Sequence, residues 1–188
     1  MNKPMDRRVR KTRQELRRGL SLLMKQKPIN EISVRELSQL CDINRGTFYL
    51  HYRDVFDMVE QIEQELFDEM RGILDKYDAR SEASLRDMMR ELYAFLEENR
   101  DICGAILGKY GNSSFVLRVT ALVREKYLYM WERPKSGNIK LYERGFWFMV
   151  SGATGMIQDW LADENPEPSE EIAELTCRIV LGSIQMLL

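Results

Sequence analysis

Arg45, Thr47, Tyr49 and His51 fall within the run "RGTFYLHY", Arg45 to Tyr52, interleaved with Phe48 and Tyr52, which read as core. An arginine matches the two major-groove acceptors of guanine. A threonine or tyrosine suits a phosphate oxygen or a thymine methyl, and a histidine suits either class of acceptor. Gly46 keeps the first turn slim enough for close approach to a duplex. The plainer reading is a solvated polar face. His51 is the one histidine of the chain, and a catalytic reading of it lacks a nucleophile, an acid partner or a ligand cluster in the sequence.

Charge weighs toward a polyanion. Residues 1–57 carry 13 Lys+Arg against 7 Asp+Glu, whereas the remainder carries 15 against 23. A basic head on an acidic body places a nucleic-acid partner at one end only. With 44% hydrophobic and 31% charged residues over 188 positions, the chain can bury one or two cores without staples. Cys41, Cys103 and Cys177 are far apart in apolar or helical surroundings, which reads as three inert thiols with no metal or cofactor. No apolar run reaches the roughly 18 residues of a spanning helix, and Asn2 to Arg18 is too polar for a signal-peptide core. The expectation is a cytoplasmic protein without a membrane partner.

The elements that must hold the run are helical, and strand alternation is absent. Leu16, Leu20, Leu23 and Met24 form a stripe that Pro28 closes. Ser33 with Glu36 is a capping-box pattern opening a short helix, and Asn44 is an N-cap type opening a third helix expected to reach about Tyr52. Val59, Ile62, Leu66, Met70, Ile73 and Tyr77 extend one stripe from Asp54 to about Tyr77. Ser84 with Asp87 resembles a second capping box, and further stripes follow to the C-terminus. Two helices of about two turns joined near Cys41 to Ile43 have the geometry of a helix-turn-helix. The fold class expected is all-α with about nine helices. Its domains are a helix-turn-helix head over residues 1–53 and a regulatory and dimerisation body over 54–188, with 54–77 as the connecting helix.

At these residues the chain resembles the TetR family of transcriptional regulators. The family's head reads as a Thr-Arg start, a Thr or Ser cap before the second helix, and a Ser-Arg-Gly-Thr-Phe-Tyr-x-His-Phe recognition segment. Here "TRQEL", "ISVRELSQLCDINRGTFYLHY" and "RDVFDMV" follow that order from Thr12 to Val59. "FMVSGATGMIQDWL" is similar to the penultimate helix of one branch of the family. Two departures stand out. Cys41 and Asp42 replace the usual Ala-Gly between the helices, where Asp tolerates a left-handed turn less readily than Gly. Val55 replaces a lysine that the family places on phosphate, so Arg53, or Lys11 and Arg13, are the candidates to supply that contact.

The resemblance implies a ligand-responsive regulator, a repressor, that binds a palindromic operator in double-stranded DNA as a homodimer and takes a small-molecule effector. Arg45, Thr47, Tyr49 and His51 match its recognition helix, flanked by Asn44 and Arg53, and Thr12, Ser33 and Arg35 match positions near backbone phosphate. Ser33 is equally explained by capping alone. For the dimer interface, Gly145, Gly152, Ala153 and Gly155 allow close approach, and Ile157, Leu161, Ile179 and Met186 supply apolar area. Tyr93, Tyr110, Tyr127, Trp131, Trp147 and Met149 are the candidates to line an effector pocket, against the plainer reading of ordinary core. A helical protein acting through a protein partner, and an enzyme, are the competing classes. Neither a Gly-rich phosphate loop nor a His/Cys cluster supports the enzyme.

Overall fold

The computed structural model describes residues 7–78, 80–111, 113–128 and 139–187. Among the described residues there is no strand, and nine α-helices follow one another. They are α1 (Arg7–Met24), α2 (Val34–Leu40), α3 (Arg45–Tyr49), α4 (Val55–Lys76), α5 (Glu82–Glu98), α6 (Arg100–Leu107), α7 (Ser113–Tyr127), α8 (Ile139–Ala162) and α9 (Ser169–Leu187). The chain is all-α, with an N-terminal head and a C-terminal domain.

Two compact units form. The first contains the chain up to Glu65 together with Asp101–Ser113, and the second contains Leu66–Arg100 and Ser114–Leu188. Helix α4 thus gives its first half to one unit and its second half to the other.

In the first unit, the stripe Leu16, Leu20, Leu23 and Met24 is buried as its helical spacing requires. Leu37, Phe48, Tyr52, Met58 and Ile62 of the same unit are buried as well, and α1 packs on α2 and α2 on α3. Ser33 caps α2 by accepting the Glu36 amide at 3.2 Å. Only half of the capping box forms, because the Glu36 carboxylate is taken by Lys27 Nζ at 2.6 and 2.8 Å. Asn44 caps α3 through the Gly46 amide at 2.8 Å. The third helix is shorter than the sequence suggested. It ends at Tyr49, and the His51 and Tyr52 amides both turn back to Phe48 O at 2.9 and 3.1 Å, so the chain reaches Tyr52 as a tight turn.

The second unit is built on α5, which packs along α9, with α8 also against α9. Helix α5 starts earlier than its Ser84-Asp87 pattern implied. Ser81 is the cap, accepting the Ser84 amide at 3.1 Å, so Ser84 is already inside the helix. Buried Tyr93 of α5 shares a 2.8 Å hydrogen bond with Thr176 of α9. Arg100 donates to the carbonyls of Trp160 and Asp163 and lies 4.6 Å over the Trp160 ring, closing the end of α8.

Candidate functional site

Helices α2 and α3 are joined by a turn in which Asp42 has φ 51°, the left-handed conformation that the Cys41-Asp42 sequence was expected to adopt. Immediately before it, the Cys41 thiol donates to Glu15 O at 3.3 Å. Gly19 of α1 is buried against Cys41 and Leu37, with no room for a Cβ beside the Cys41 sulfur. The absence of a side chain at Gly19 lets α1 brace α2 closely enough to seat this turn.

One turn of helix then separates core from surface. Phe48 is fully buried and Tyr52 nearly so, their ring centroids 5.7 Å apart. Arg45 and Tyr49, also four residues apart, are exposed on another face, Tyr49 with its ring edge against Phe48. Asn44, Ser33 and Arg35 are exposed as well, whereas Thr12, Thr47 and His51 are half-buried. Ser33 keeps both roles open: its oxygen accepts the Glu36 amide, and its hydroxyl proton remains available to an anion. Leu50 is 81% exposed and directly follows Tyr49, an apolar tip that no periodicity or motif in the sequence marks.

The candidates to replace the lysine at Val55 separate clearly. Val55 is core. Arg13 is engaged inside the unit, donating to Tyr52 Oη at 3.1 Å and to Glu65 Oε1 at 2.6 Å. Lys11 is exposed. Arg53 is also exposed, and its guanidinium pairs at 3.1 Å with Asp57, whose carboxylate additionally accepts from the Arg53 amide and from Gln61. The Arg53 amide, chiefly, and the Gln61 and Arg53 side chains hold the Asp57 carboxyl below the usual range.

The pocket candidates fall in both units: Tyr110 belongs to the first, and Tyr93, Tyr127, Trp147 and Met149 to the second. Tyr127 and Met149 line a cavity of about 110 Å³. Tyr93 is core behind it, Tyr110 lies on the turn after α6, Trp147 is part-exposed on α8, and Trp131 lies outside the described residues. The rest of the cavity wall is aliphatic: Met70 and Leu74 of α4, Met88 of α5, and Val119 and Val123 of α7 contribute. Their i, i+4 spacings were visible in the sequence, but nothing there distinguished a cavity wall from filled core.

Of the interface candidates, Gly152, Gly155, Ile179 and Met186 are exposed, Gly145 is half-buried and Leu161 is buried within its own chain. Ala153 and Ile157 line the cavity. Among the described residues no group of His, Cys, Asp and Glu has the arrangement of a metal site, and no helix is long and apolar enough to cross a membrane.

Two short helices joined by a tight turn in the N-terminal head, followed by an all-α C-terminal domain, form a helix-turn-helix arrangement. The family model of a transcriptional regulator C-terminal region matches residues 83–182, more than half of the chain, and the chain belongs to the TetR family of transcriptional regulators. DNA binding and regulation of transcription follow with the family. No curated protein sequence matches the chain. Among solved structures it is similar to a TetR transcriptional regulator from Streptococcus agalactiae 2603V, at 17% identity over 93% of this chain and 96% of that one, with TM-score 0.58. It is also similar to the fatty acid degradation regulator FadR from Bacillus halodurans, at 12% identity over 97% of each chain and TM-score 0.62. A third similar structure is the dihydroxyacetone kinase operon activator DhaS, at 16% identity over 94% of this chain and 97% of that one, with TM-score 0.60. Identities this low establish a shared fold.

Proposed function

We propose that the protein is a ligand-responsive repressor that binds a palindromic operator as a homodimer, reading base edges with Arg45 and Tyr49. The observation that carries this reading is the division of α3: Phe48 is locked in the core while Arg45 and Tyr49 stand exposed on the helix that the turn at Asp42 presents. Thr47, His51 and Asn44 flank the base-reading pair. Ser33 and Arg35 at the start of α2, Thr12 of α1, and Arg53 supply phosphate contacts that fix the register of docking. The DNA-reading head proper ends at about residue 53, just before α4 begins at Val55, whereas the compact unit that holds it runs on to Glu65 inside that helix.

Two stripes support the homodimer. Leu141, Gly145, Phe148, Gly152 and Gly155 recur at three- and four-residue spacing along α8, and Phe148 is 80% exposed. On α9, Leu175, Ile179, Gly182 and Met186 do the same, and Met186 is 87% exposed. A Cβ on Gly152, Gly155 or Gly182 would meet nothing within 4 Å in the single chain, so those positions leave space for a second backbone. Two α8–α9 pairs form a four-helix bundle with two-fold symmetry, which sets two heads on successive major grooves. A dimer covering both half-sites excludes other proteins from that DNA, the simplest route to repression.

Response to a ligand runs through α4. Met70 and Leu74 on its second half line the cavity, and its first half carries Val55, Met58 and Ile62 into the core of the head. A ligand that binds two settings of this helix unequally shifts DNA affinity, typically by roughly 1 to 3 kcal/mol, and the operator must weaken ligand binding by the same factor. The test is selection of bound fragments from the parent genome by the full-length protein, followed by footprinting. Two protected patches related by a two-fold axis, about 34 to 36 Å or a multiple apart, are expected. Protection of a single isolated half-site, or no enrichment, contradicts the reading.

A further inference from the structure

The cavity between α4, α5, α7, α8 and α9 carries its own account of what fits it. Among the described residues, the polar side chains in its wall are Tyr127, Thr154 and Thr176, and none of the lining residues is charged. Each of the three hydroxyl protons is already committed to the protein. Tyr127 Oη donates to Leu74 O at 2.8 Å, Thr154 Oγ1 to Val150 O at 2.9 Å, and Thr176 Oγ1 to Ile172 O at 2.8 Å. With Thr176 so committed, the proton of its 2.8 Å bond with Tyr93 comes from the tyrosine. Among the described residues, the wall therefore offers hydroxyl oxygens that can accept a hydrogen bond and no side-chain hydroxyl with a proton left to give.

That inventory discriminates among ligands. A carboxylate or phosphate needs donors or a cation, and an ammonium needs a carboxylate or several acceptors, so either charge placed against the described wall would be desolvated without compensation. A ligand carbonyl would likewise find no hydroxyl donor. A hydrocarbon loses nothing on entry, and a ligand hydroxyl can donate to a spare lone pair of Tyr127 or Thr154. Size narrows the class further. The cavity holds about 110 Å³, and an apolar cavity on the order of 150 Å³ stays dry and accepts benzene. Methionines such as Met70, Met88 and Met149 in the wall let it adapt by small rotamer changes.

We propose that this cavity binds an uncharged apolar molecule about the size of a single aromatic ring, carrying at most a hydroxyl group, and rejects carboxylate, phosphate and ammonium ligands. The assignment rests on the ligand-responsive reading only in calling this molecule the effector; the chemistry of the wall stands by itself.

The test uses the full-length protein with methyl-labelled methionine and no DNA. Toluene and benzoate, of similar shape and opposite charge character, are titrated while the methyl resonances are followed. Toluene is expected to shift the cavity methionines saturably, and benzoate to bind at least about 100-fold more weakly, as follows from burying an unpaired carboxylate. Val123→Phe, which fills the cavity, is expected to weaken toluene by at least about tenfold with helicity retained; Val119→Phe serves if the first variant does not fold. Benzoate within tenfold of toluene, the absence of a saturable toluene shift, or unchanged toluene binding in the folded filled variants overturns the proposal. Operator affinity is then compared with and without saturating toluene. Unequal affinities support the effector role. Equal affinities after saturable binding leave the cavity's ligand class standing and remove toluene-type molecules as effectors.

Discussion

Arg13 of α1 donates through Nε to the Tyr52 hydroxyl at 3.1 Å, and through Nη2 to Glu65 of α4 at 2.6 Å, so one guanidinium ties the first helix to both ends of the segment that follows α3. Its plane also lies 5.7 Å from the Tyr52 ring. Tyr52 in turn packs on Phe48, so the position of the recognition turn depends on a side chain some forty residues away.

Arg13→Ala is therefore expected to lower stability by about 1 to 3 kcal/mol, and Tyr52→Phe by about 0.5 to 1.5 kcal/mol, since the latter leaves Arg13 paired with Glu65. Urea unfolding of both variants checks the order. Equal stability of Arg13→Ala and the parent chain would show that the pair is incidental.

The turn at Asp42 gives a prediction of opposite sign. A non-glycine residue at φ 51° bears a left-handed penalty of up to about 1 kcal/mol, so Asp42→Gly is expected to raise the melting temperature by roughly 2 to 4 °C. Gly19→Ala should do the reverse, costing about 1 to 3 kcal/mol, because its Cβ meets the Cys41 sulfur and Leu37. Cys41→Ala added to Gly19→Ala should recover most of that loss. No recovery would mean that the crowding at Gly19 lies elsewhere.

These two sites show what the sequence could carry. The starts of the head's short helices, their Ser33 and Asn44 caps, and the left-handed Asp42 were legible because each depends on chemistry within a few residues, whereas the end of α3 at Tyr49 was not. The early start of α5 at Ser81 was missed because two serines three apart offer equivalent caps, and only the packing of the helix chooses between them. The cavity wall was legible only in part for a related reason. Tyr127 and Met149 line it and Tyr93 is core, as the plainer reading had it, while the aliphatic share of the wall from Val119, Val123 and Leu74 is a distinction that exists only in three dimensions. The role of Arg13 was likewise invisible, since its acceptor Glu65 is distant in sequence.

Tyr127 supplies a pH test of the cavity wall. Burial first, and the nearby charge of Asp78 second, push its phenol up to about 12 from the usual 10.0. A phenol whose folded-state pKa exceeds its unfolded value contributes stability fully below pH 10.0, and loses it as pH rises from there through about 12. The loss amounts to about 2 to 3 kcal/mol for a shift of this size. Tyr127→Phe should accordingly lose less stability than the parent chain between about pH 10 and about pH 12. Parallel stability curves would mean that the hydroxyl is not held in its buried, protonated state.

Gly152 tests the stripe on α8. A side chain there meets nothing within 4 Å in the single chain, so Gly152→Glu should leave helicity intact while placing a carboxylate in the contact between copies. Sedimentation is expected to show a dimer for the parent protein at micromolar concentration and a folded monomer for the variant. A parent protein that remains monomeric at that concentration rules out the bundle of α8 and α9.

That the exposed face of α3 reads DNA is tested most directly by the operator affinity of Arg45→Ala and Tyr49→Ala beside the parent protein over a range of salt. Each variant should keep its helicity and oligomeric mass and lose about 1 to 3 kcal/mol of binding to the selected operator. The parent affinity should fall steeply with added salt as phosphate contacts release counterions. Unchanged operator affinity in both variants would contradict the assignment of this face as the reading surface.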